Sequence, residues 1–349
     1  MNPYILALLL FALGLGTTIT FASSHWLLAW MGLEINTLAI IPLMTQPNHP
    51  RAVEAATKYF LAQATAAAAL LFASVTNAWL TGQWNINLMT HPIPMTMIML
   101  ALAMKVGLAP LHTWLPEVLQ GLDLTTGLIL STWQKLAPFY LFVQIPFQNQ
   151  PLLIILALIS TLVGGWGGLN QTQLRKILAY SSIAHLGWMI LILQFAPSLT
   201  LVALLTYLTM TLAAFLTLKA NSATTINTLA ISWAKAPTLT AIFPMTLLSL
   251  GGLPPLTGFM PKWLILQELT KQGLPATSTL AALTALLSLY FYLRISYAMT
   301  LTMPPNNTTG VAPWRLPRAP RTLTLPTAVV TATMLLPLTP ALSATLMAF

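Results

Sequence analysis

The 349-residue sequence contains no cysteine and very few charged residues. Without cysteine there can be no disulfide bond, no thiolate-held zinc and no cysteine-ligated iron–sulfur cluster. Charged residues make up 5% of the chain, with five acidic and 14 basic residues, whereas a soluble domain usually carries about 25%. Together with 57% hydrophobic residues and a mean hydropathy of +0.79, this scarcity predicts an integral membrane protein.

The sequence lacks the signature motifs of several functional classes. No dinucleotide-binding glycine motif, phosphate loop or nucleophile–base arrangement is present, so the sequence alone predicts no redox centre and no hydrolase chemistry. The five histidines are scattered and predict no metal site. Arginine clusters with interleaved aromatic residues are absent, which argues against nucleic-acid binding. The first apolar segment has no basic region before it, so we expect a retained span rather than a cleaved signal.

Hydrophobic runs predict an all-α, polytopic membrane protein, because a helix that crosses a bilayer needs about 20 apolar residues. We expect transmembrane spans at residues 3–22, 25–44, 57–79, 95–115, 124–145, 151–170, 175–194, 198–218, 237–268, 275–299 and 324–346. These 11 spans form one transmembrane domain over residues 1–349. The ninth span is too long for one straight helix and contains the sequence GGLPP at residues 251–255. Since this sequence cannot continue regular helical hydrogen bonding, the ninth helix is expected to be discontinuous.

A sequence repeat relates the two halves of this domain, which we place at roughly residues 1–145 and 151–300. Residues 107–116 are GLAPLHTWLP and residues 252–261 are GLPPLTGFMP. Because five spans separate the two copies, they are expected to have opposite orientations, in two inverted helix bundles that each contain a discontinuous helix. Paired helix breaks in inverted halves are typical of transporters. The alternative is chance alignment of two kinks in a chain with 26 prolines.

Basic residues predict the orientation of the chain in the membrane. Loops on the side of the N-terminus contain Arg51, Lys58, Arg175, Lys176, Lys219, Lys235, Arg315, Arg318 and Arg321. Loops on the opposite side contain only Lys271. The asymmetry predicts that the N-terminus lies on the cytoplasmic side or on its equivalent, the mitochondrial matrix side. With an odd number of spans, the C-terminus is expected on the opposite side.

Four charged residues are predicted to lie inside hydrophobic spans, namely Glu34, Lys105, Lys135 and Lys262. A charge within the bilayer costs at least a few kcal/mol and usually marks an ion or proton pathway. Removal from water favours the neutral form of a lysine, whereas a nearby carboxylate favours the ammonium form. Glu34 is the only carboxylate expected deep in the membrane, so it is the natural partner of Lys105. The alternative is that these charges snorkel or form static ion pairs that hold helices together.

Two histidines add candidate relay groups to the four charged residues. His112 follows the first helix break and could relay a proton, or it could hydrogen-bond the carbonyls that the break leaves free. His185 lies in the middle of a span, within the sequence YSSIAHLG at residues 180–187. There, serine, tyrosine and histidine could support a hydrogen-bonded water chain or simply join helices. The sequence leaves both alternatives open for each histidine.

Three motifs resemble those of one membrane-protein family. They are KVGLAPLHTWLPE at residues 105–117, LRKILAYSSIAHLG at residues 174–187 and GGLPPLTGF at residues 251–259. Together they resemble the signatures of the antiporter-like subunits of respiratory complex I, and the resemblance covers essentially the whole chain. The family fold has two inverted bundles, each with a broken helix. Animal mitochondrial members resemble this fold without its first three helices, which implies the same 11 spans that the hydrophobic runs predict.

The resemblance also implies which residues form the functional site. The family's channel glutamate matches Glu34, and the lysine paired with it matches Lys105. The family's central lysine matches Lys135, and the lysine on its second broken helix matches Lys262. The relay histidine of the family matches His185, and the histidine after its first break matches His112. These matches imply a route for protons that enters from the matrix side, passes Lys105 and Lys135 and leaves near Lys262.

By resemblance, the expected function is proton translocation by a membrane-arm subunit of complex I, NADH:ubiquinone oxidoreductase. The subunit would lie in the mitochondrial inner membrane, with its N-terminus in the matrix and its C-terminus in the intermembrane space. No cofactor is expected in this chain, because NADH, FMN, iron–sulfur clusters and ubiquinone would bind to partner subunits. NADH oxidation in those subunits would supply the energy for proton translocation. The expected partners are the other complex I subunits, including neighbouring antiporter-like subunits, and membrane lipids such as cardiolipin.

Two other functions are compatible with the same residues. An Mrp-type cation/proton antiporter could use the same buried lysines for transport without a redox partner. In a non-pumping assembly subunit, the buried charges would only fix the packing of the helices. The sequence does not distinguish these alternatives from proton pumping, because all three place charges inside membrane spans.

Overall fold

The computed structural model describes residues 2–46, 48–147, 151–234, 236–300 and 323–347. Four of the basic residues that determine the expected orientation lie outside these ranges: Lys235, Arg315, Arg318 and Arg321. Every named element in the described ranges is helical, and the β contacts there are two isolated bridges, His25–Asn85 and Gln173–Thr225. The all-α class predicted from the sequence is therefore confirmed.

The chain divides into two compact units, residues 1–152 and 153–349. Unit 1 contains α1 (Pro3–Ala22), α2 (Trp26–Thr45), α3 (Pro50–Thr81), α4 (Pro92–Val106), α5 (Trp114–Gly121), α6 (Leu124–Ser131) and α7 (Trp133–Gln144). The helix α8 (Pro151–Gly168) begins at the boundary. The rest of unit 2 contains α9 (Leu174–Ile192), α10 (Pro197–Asn221), α11 (Ile226–Ala230), α12 (Pro237–Gly251), α13 (Phe259–Lys271), α14 (Pro275–Thr300), α15 (Thr324–Met334) and α16 (Thr339–Met347).

Six helices of the described chain are long and apolar enough to cross a membrane, namely α1, α2, α3, α8, α10 and α14. Three shorter helices, α4, α12 and α15, are also apolar. The helix α9 has 19 residues, but Arg175, Lys176 and its polar residues lower its hydropathy. Nearly all of α9 is buried, so Ser181, Ser182 and His185 are enclosed by protein. The chain is a polytopic membrane protein, as its composition predicts.

Two expected spans are interrupted where we anticipated continuous helices. The segment 124–145 is divided at Thr132, where α6 ends and α7 begins. No glycine or proline occupies that position, so the interruption has no local signal in the sequence. The C-terminal segment 324–346 is divided into α15 and α16 by a short 3₁₀ turn. There, Pro337 and Pro340 each remove a backbone donor from the helix.

The two helix breaks of the sequence repeat have the same backbone conformation. The residue after α4 is Gly107 with a φ of +88°, and the residue after α12 is Gly252 with a φ of +80°. Glycine adopts this left-handed region without a Cβ clash. At both breaks the next residue, Leu108 or Leu253, donates its N–H to the carbonyl of the residue five positions earlier. This is the hydrogen bond of a Schellman cap, which ends the first half-helix.

The turns after the two caps are also matched. Each contains one cis peptide bond, at Ala109–Pro110 and at Pro254–Pro255. The second half-helix begins at the aromatic position of the repeat in both cases, at Trp114 for α5 and at Phe259 for α13. The sequence repeat therefore corresponds to two helix breaks of matching local geometry.

Glycine allows α1 and α2 to approach closely in unit 1. A Cβ on Gly16 would lie 2.8 Å from the carbonyl oxygen of Gly32 and 2.5 Å from Asn36 Oδ1. A Cβ on Gly32 would lie 2.6 Å from the side-chain methyl of Thr20. Carbon atoms in contact are normally about 3.5–4.0 Å apart, and small residues permit close helix crossings within membranes. The contact fixes α2, and with it Asn36, against α1.

Replacing Gly16 with alanine is expected to lower the thermal stability of the protein in detergent. The added methyl group would collide with Asn36 and with the backbone of α2, and overpacking of this kind costs about 1–3 kcal/mol. Gly14→Ala is the matched control on the same helix, since a Cβ there has no atom within 4 Å. A thermal unfolding series should show a lower midpoint for Gly16→Ala alone. Equal midpoints for the two variants would contradict the close crossing of α1 and α2.

Candidate functional site

Glu34 lies near the middle of α2 and is half-buried. Thr37 Oγ1 is 3.0 Å from Glu34 Oε2 and 2.9 Å from the Glu34 carbonyl oxygen, so the hydroxyl donates to this residue. The carboxylate is within electrostatic range of Lys105 and Tyr59. No direct ion pair joins Glu34 to Lys105 in the described part of the chain. The predicted pair therefore does not form a direct salt bridge in this arrangement of the described residues.

Lys105 occupies the last turn of α4, immediately before the first helix break. Its side chain is buried, and Nζ has no hydrogen-bond partner among the described residues. The C-terminal end of a helix carries partial negative charge and favours a cation. Two carbonyls of this turn are satisfied by side chains. Trp114 Nε1 donates to Met104 O at 3.1 Å, and Gln63 Nε2 donates to Lys105 O at 3.3 Å.

A cavity of about 20 Å³ in unit 1 brings Lys105 and Lys135 together. Lys135 lies in the first turn of α7 and is buried. The polar side chains that line the cavity with the two lysines are Asn36, Thr37, Tyr59, Gln63 and Gln134. A volume of this size holds roughly one water molecule. Since Thr37 also contacts the Glu34 carboxylate, three of the four predicted buried charges belong to one connected polar region.

His112 lies in the turn between α4 and α5 and is half-buried. Its imidazole hydrogen-bonds to the backbone of Pro110. Proline has no backbone N–H, so the imidazole is the donor and the Pro110 carbonyl is the acceptor. His112 is not part of the lining of the cavity that Lys105 and Lys135 share. The observed contact matches the second role considered from the sequence, in which His112 hydrogen-bonds to a carbonyl that the break leaves free.

In unit 2, Lys262 on α13 reaches back to the end of α12. Its Nζ donates to the carbonyl oxygen of Gly251 at 2.8 Å. The side chain passes over Gly252, where a Cβ would lie 2.8 Å from Lys262 Cδ. Both Lys262 and Lys105 are thus associated with the C-terminal end of a half-helix before a break. Lys105 belongs to that half-helix, whereas Lys262 belongs to the helix after the break.

A second small cavity, of about 10 Å³, is lined by His185 and Lys262 together with Thr206 and Trp188. Lys262 Nζ is 6.0 Å from the centroid of the Trp188 ring, at the outer limit of cation–π attraction. His185 packs against Tyr207 with ring centroids 5.7 Å apart. The structure therefore places His185 and Lys262 at one cavity, which the sequence could not establish.

Several polar residues of the two cavities were not identified from the sequence. They are Asn36, Thr37, Gln63 and Gln134 in unit 1 and Thr206 in unit 2, and Tyr207, which packs against His185, was not identified either. Tyr207 is hydrogen-bonded to Ser182, which ties α10 to α9. A signal was available for Thr37, because it follows Glu34 by three residues and shares its helix face. The glutamines and tyrosine carried no comparable signal, since their positions depend on how separate helices pack.

The described residues contain no group of three or more His, Cys, Asp or Glu side chains that could hold a metal ion. The two polar cavities, at about 20 and 10 Å³, are far smaller than the roughly 300–1,000 Å³ of a typical cofactor pocket. These two sites are therefore suited to protons and single water molecules rather than to an organic cofactor.

Comparison with known proteins identifies related chains over the full length. The family described as "NADH:quinone oxidoreductase/Mrp antiporter, TM" matches residues 23–288, and "NADH dehydrogenase subunit 2 C-terminus" matches residues 289–343. The NADH-ubiquinone oxidoreductase chain 2 of Tetraodon nigroviridis is 72% identical over 340 residues, covering 97% of this chain and 98% of the relative. The chain 2 of Salmo salar is 71% identical over 344 residues, covering 98% and 99%.

A solved structure has the same fold. A chain of respiratory complex I from Thermus thermophilus, determined with bound aureothin, superposes with a TM-score of 0.83 at 30% identity, covering 97% of this chain and 79% of that chain. The first family match includes both complex I subunits and Mrp antiporters, whereas the second match and the fish relatives concern chain 2 alone. The chain therefore belongs to the NADH:quinone oxidoreductase/Mrp antiporter transmembrane family and, within it, to the NADH-ubiquinone oxidoreductase chain 2 proteins.

Proposed function

We propose that this chain is a proton-translocating membrane-arm subunit of NADH:ubiquinone oxidoreductase, complex I, in the mitochondrial inner membrane. The observation that carries the proposal is the cavity of unit 1, in which two buried lysines face a space of about 20 Å³ that is connected to Glu34 through Thr37. The names of the chain 2 relatives support the assignment to complex I. NADH, FMN, iron–sulfur clusters and ubiquinone belong to partner subunits in this proposal.

Proton transfer in unit 1 would depend on the charge of Glu34. An ionised Glu34 favours the ammonium form of Lys105, and neutralisation or displacement of the carboxylate favours release of the proton. Lys135 faces the same cavity and is the next acceptor. Moving one charge against the membrane potential requires about 2.3 kcal/mol per 100 mV. NADH oxidation elsewhere in the complex would supply this energy.

In unit 2 the proposed carriers are His185 and Lys262, which line one cavity. The order Lys105, Lys135 and then Lys262 is the proton route predicted from the sequence, and we retain it as part of the proposal. His112 has a supporting role in which it satisfies a carbonyl of the first break.

We infer 11 membrane crossings, in which α4–α5, α6–α7, α12–α13 and α15–α16 each act as one interrupted span. The matched breaks support an internal repeat with one discontinuous helix in each half, and we retain the inverted arrangement of halves at roughly residues 1–145 and 151–300 that the sequence predicts. The basic loops support an N-terminus in the matrix and a C-terminus in the intermembrane space. The proposed neighbours are other antiporter-like subunits, and anionic lipids such as cardiolipin would contact the basic loops.

Glu34→Gln and Lys105→Met are expected to reduce proton pumping by assembled complex I in a homologous system that can be mutated. Lys105→Met removes a carrier, so proton transfer through this chain should slow by about 100-fold or more, the lower end of what a positioned proton-transfer group contributes. Glu34→Gln removes the charge that controls Lys105 and should also lower pumping. Pumping is measured in reconstituted vesicles as proton uptake per NADH oxidised, with assembly checked on native gels.

Lys58→Met is the control for the lysine substitution. Lys58 is partly exposed, pairs with Glu54 and Glu117 at 2.9 and 2.8 Å and lines neither cavity. Exposed pairs contribute about 0–1 kcal/mol, so pumping should be normal. Normal pumping by assembled Lys105→Met would support a purely structural role for the buried charges. Sodium-dependent proton movement by the purified chain alone in liposomes would instead favour an Mrp-type antiporter.

The orientation can be tested by cysteine labelling, because the chain has no cysteine of its own. Asn2 precedes α1 and Gln272 follows α13, and both are exposed. A membrane-impermeant maleimide should label Gln272→Cys in mitoplasts, whose outer face is the intermembrane-space side. It should label Asn2→Cys only in inside-out submitochondrial particles. The reverse pattern would overturn the proposed orientation.

A further inference from the structure

We propose that Thr37 and Asn36 are positioning residues for proton transfer between Glu34 and Lys105. Thr37 would link the Glu34 carboxylate to the cavity, and Asn36 would order a water molecule inside it. The inference rests on the proposed function and adds to it that Glu34, there the group that controls Lys105, also accepts a proton from that lysine.

The geometry of Thr37 places one hydroxyl between the carboxylate and the cavity. Thr37 follows Glu34 by three residues on α2, so the two side chains share a helix face. Its Oγ1 is 3.0 Å from Glu34 Oε2, and the side chain is buried and lines the cavity with Lys105. A hydroxyl donates one hydrogen bond and accepts others. Thr37 can therefore donate to the carboxylate and accept from a water molecule at the same time.

The geometry of Asn36 indicates that this water has a binding site. Asn36 is 2% exposed, and neither Oδ1 nor Nδ2 has a hydrogen-bond partner among the described residues. Lys105 Nζ is in the same condition and faces the same cavity. Buried amides and ammonium groups are destabilising without hydrogen bonds. A water molecule needs two to four polar partners and roughly 10–15 Å³ of space, and the cavity of about 20 Å³ provides both.

The packing around Asn36 holds its amide in place. Gly16 of α1 approaches Asn36 so closely that a Cβ would lie 2.5 Å from Oδ1. Gln134 Nε2, on α7 beside Lys135, donates to the backbone carbonyl of Asn36 at 3.2 Å. These contacts come from α1 and from α7, so Asn36 is held against α1 and against the helix that carries Lys135.

The transfer along this connection is balanced in protons. The Lys105 ammonium gives one proton to the water molecule, which gives one of its own to the Thr37 hydroxyl, and that hydroxyl gives its hydrogen to the Glu34 carboxylate. The water and the threonine are restored, one proton has moved, and no oxidant, reductant or further reactant is required. The reverse sequence reloads Lys105.

Substitution of Thr37 tests the hydroxyl in assembled complex I that contains the full chain. Thr37→Val keeps the shape and removes the hydroxyl, so proton uptake per unit time should fall by about tenfold, the equivalent of one lost hydrogen bond in the transfer. Thr37→Ser keeps the hydroxyl and should restore pumping to within about twofold. Thr45→Val is the control, because Thr45 lies on the same helix, donates to the carbonyls of Ile41 and Pro42 and does not line the cavity.

Substitution of Asn36 tests the ordered water. Asn36→Leu should lower pumping by about tenfold and change the solvent deuterium isotope effect on NADH-driven proton uptake. Asn77→Leu is the control in the same unit. Asn77 is fully buried, donates to Gln83 O at 3.1 Å and does not line the cavity. Its replacement should affect thermal stability to a similar extent while pumping and the isotope effect stay normal.

The outcomes separate this inference from the proposed function. Normal pumping by Thr37→Val and Asn36→Leu, together with a defect in Lys105→Met, overturns the inference and leaves the proposed function standing. Normal pumping by all three variants overturns both. Failure of Thr37→Ser to restore pumping overturns the role of the hydroxyl. If Asn36→Leu does not assemble, the comparison of valine and serine at Thr37 decides the result.

Discussion

The satisfaction of backbone polar groups inside the membrane is the constraint on which the rest of this structure depends. A helix break within the bilayer leaves carbonyl groups that neither lipid nor bulk water can satisfy. In this chain, Trp114 donates to Met104 O, Gln63 donates to Lys105 O and Lys262 donates to Gly251 O. The side chains that satisfy these carbonyls also line the polar cavities. The structural requirement of the breaks and the chemistry of the sites are therefore met by the same residues.

The small size of the two cavities limits how protons could be transferred in the proposed mechanism. With space of about 20 Å³ beside Lys105 and Lys135 and about 10 Å³ beside His185 and Lys262, a long file of water cannot occupy either site in the described arrangement. Transfer then depends on individual side chains and their orientation, which makes hydroxyl and amide groups near the charges as important as the charges themselves. Close helix contacts, such as that of Gly16 with Asn36, hold those groups in place.

The sequence predicted most of the helices and both breaks of the repeat, because hydrophobic length, glycine and proline act locally. The expected first span, 3–22, has the bounds of α1, and the discontinuity at residues 251–255 is present. The interruption at Thr132 carried no such local signal. The positions of Gln63, Gln134 and Thr206 at the two cavities carried no local signal either, because they depend on the rotation and packing of helices distant in sequence. The charges were identifiable because apolar segments make each one conspicuous.

The lysines of the two broken helices interact with different groups. Lys262 has a hydrogen-bond acceptor in the backbone of α12, whereas Lys105 Nζ has no such partner among the described residues and lies within electrostatic range of Glu34. The hydrogen bond of Lys262 depends on the shape of the turn after α12, because its acceptor is a backbone carbonyl at that turn. The protonation of Lys105 depends instead on the charge of a nearby carboxylate. Two copies of one backbone motif thus place their lysines under different physical influences, one geometric and one electrostatic.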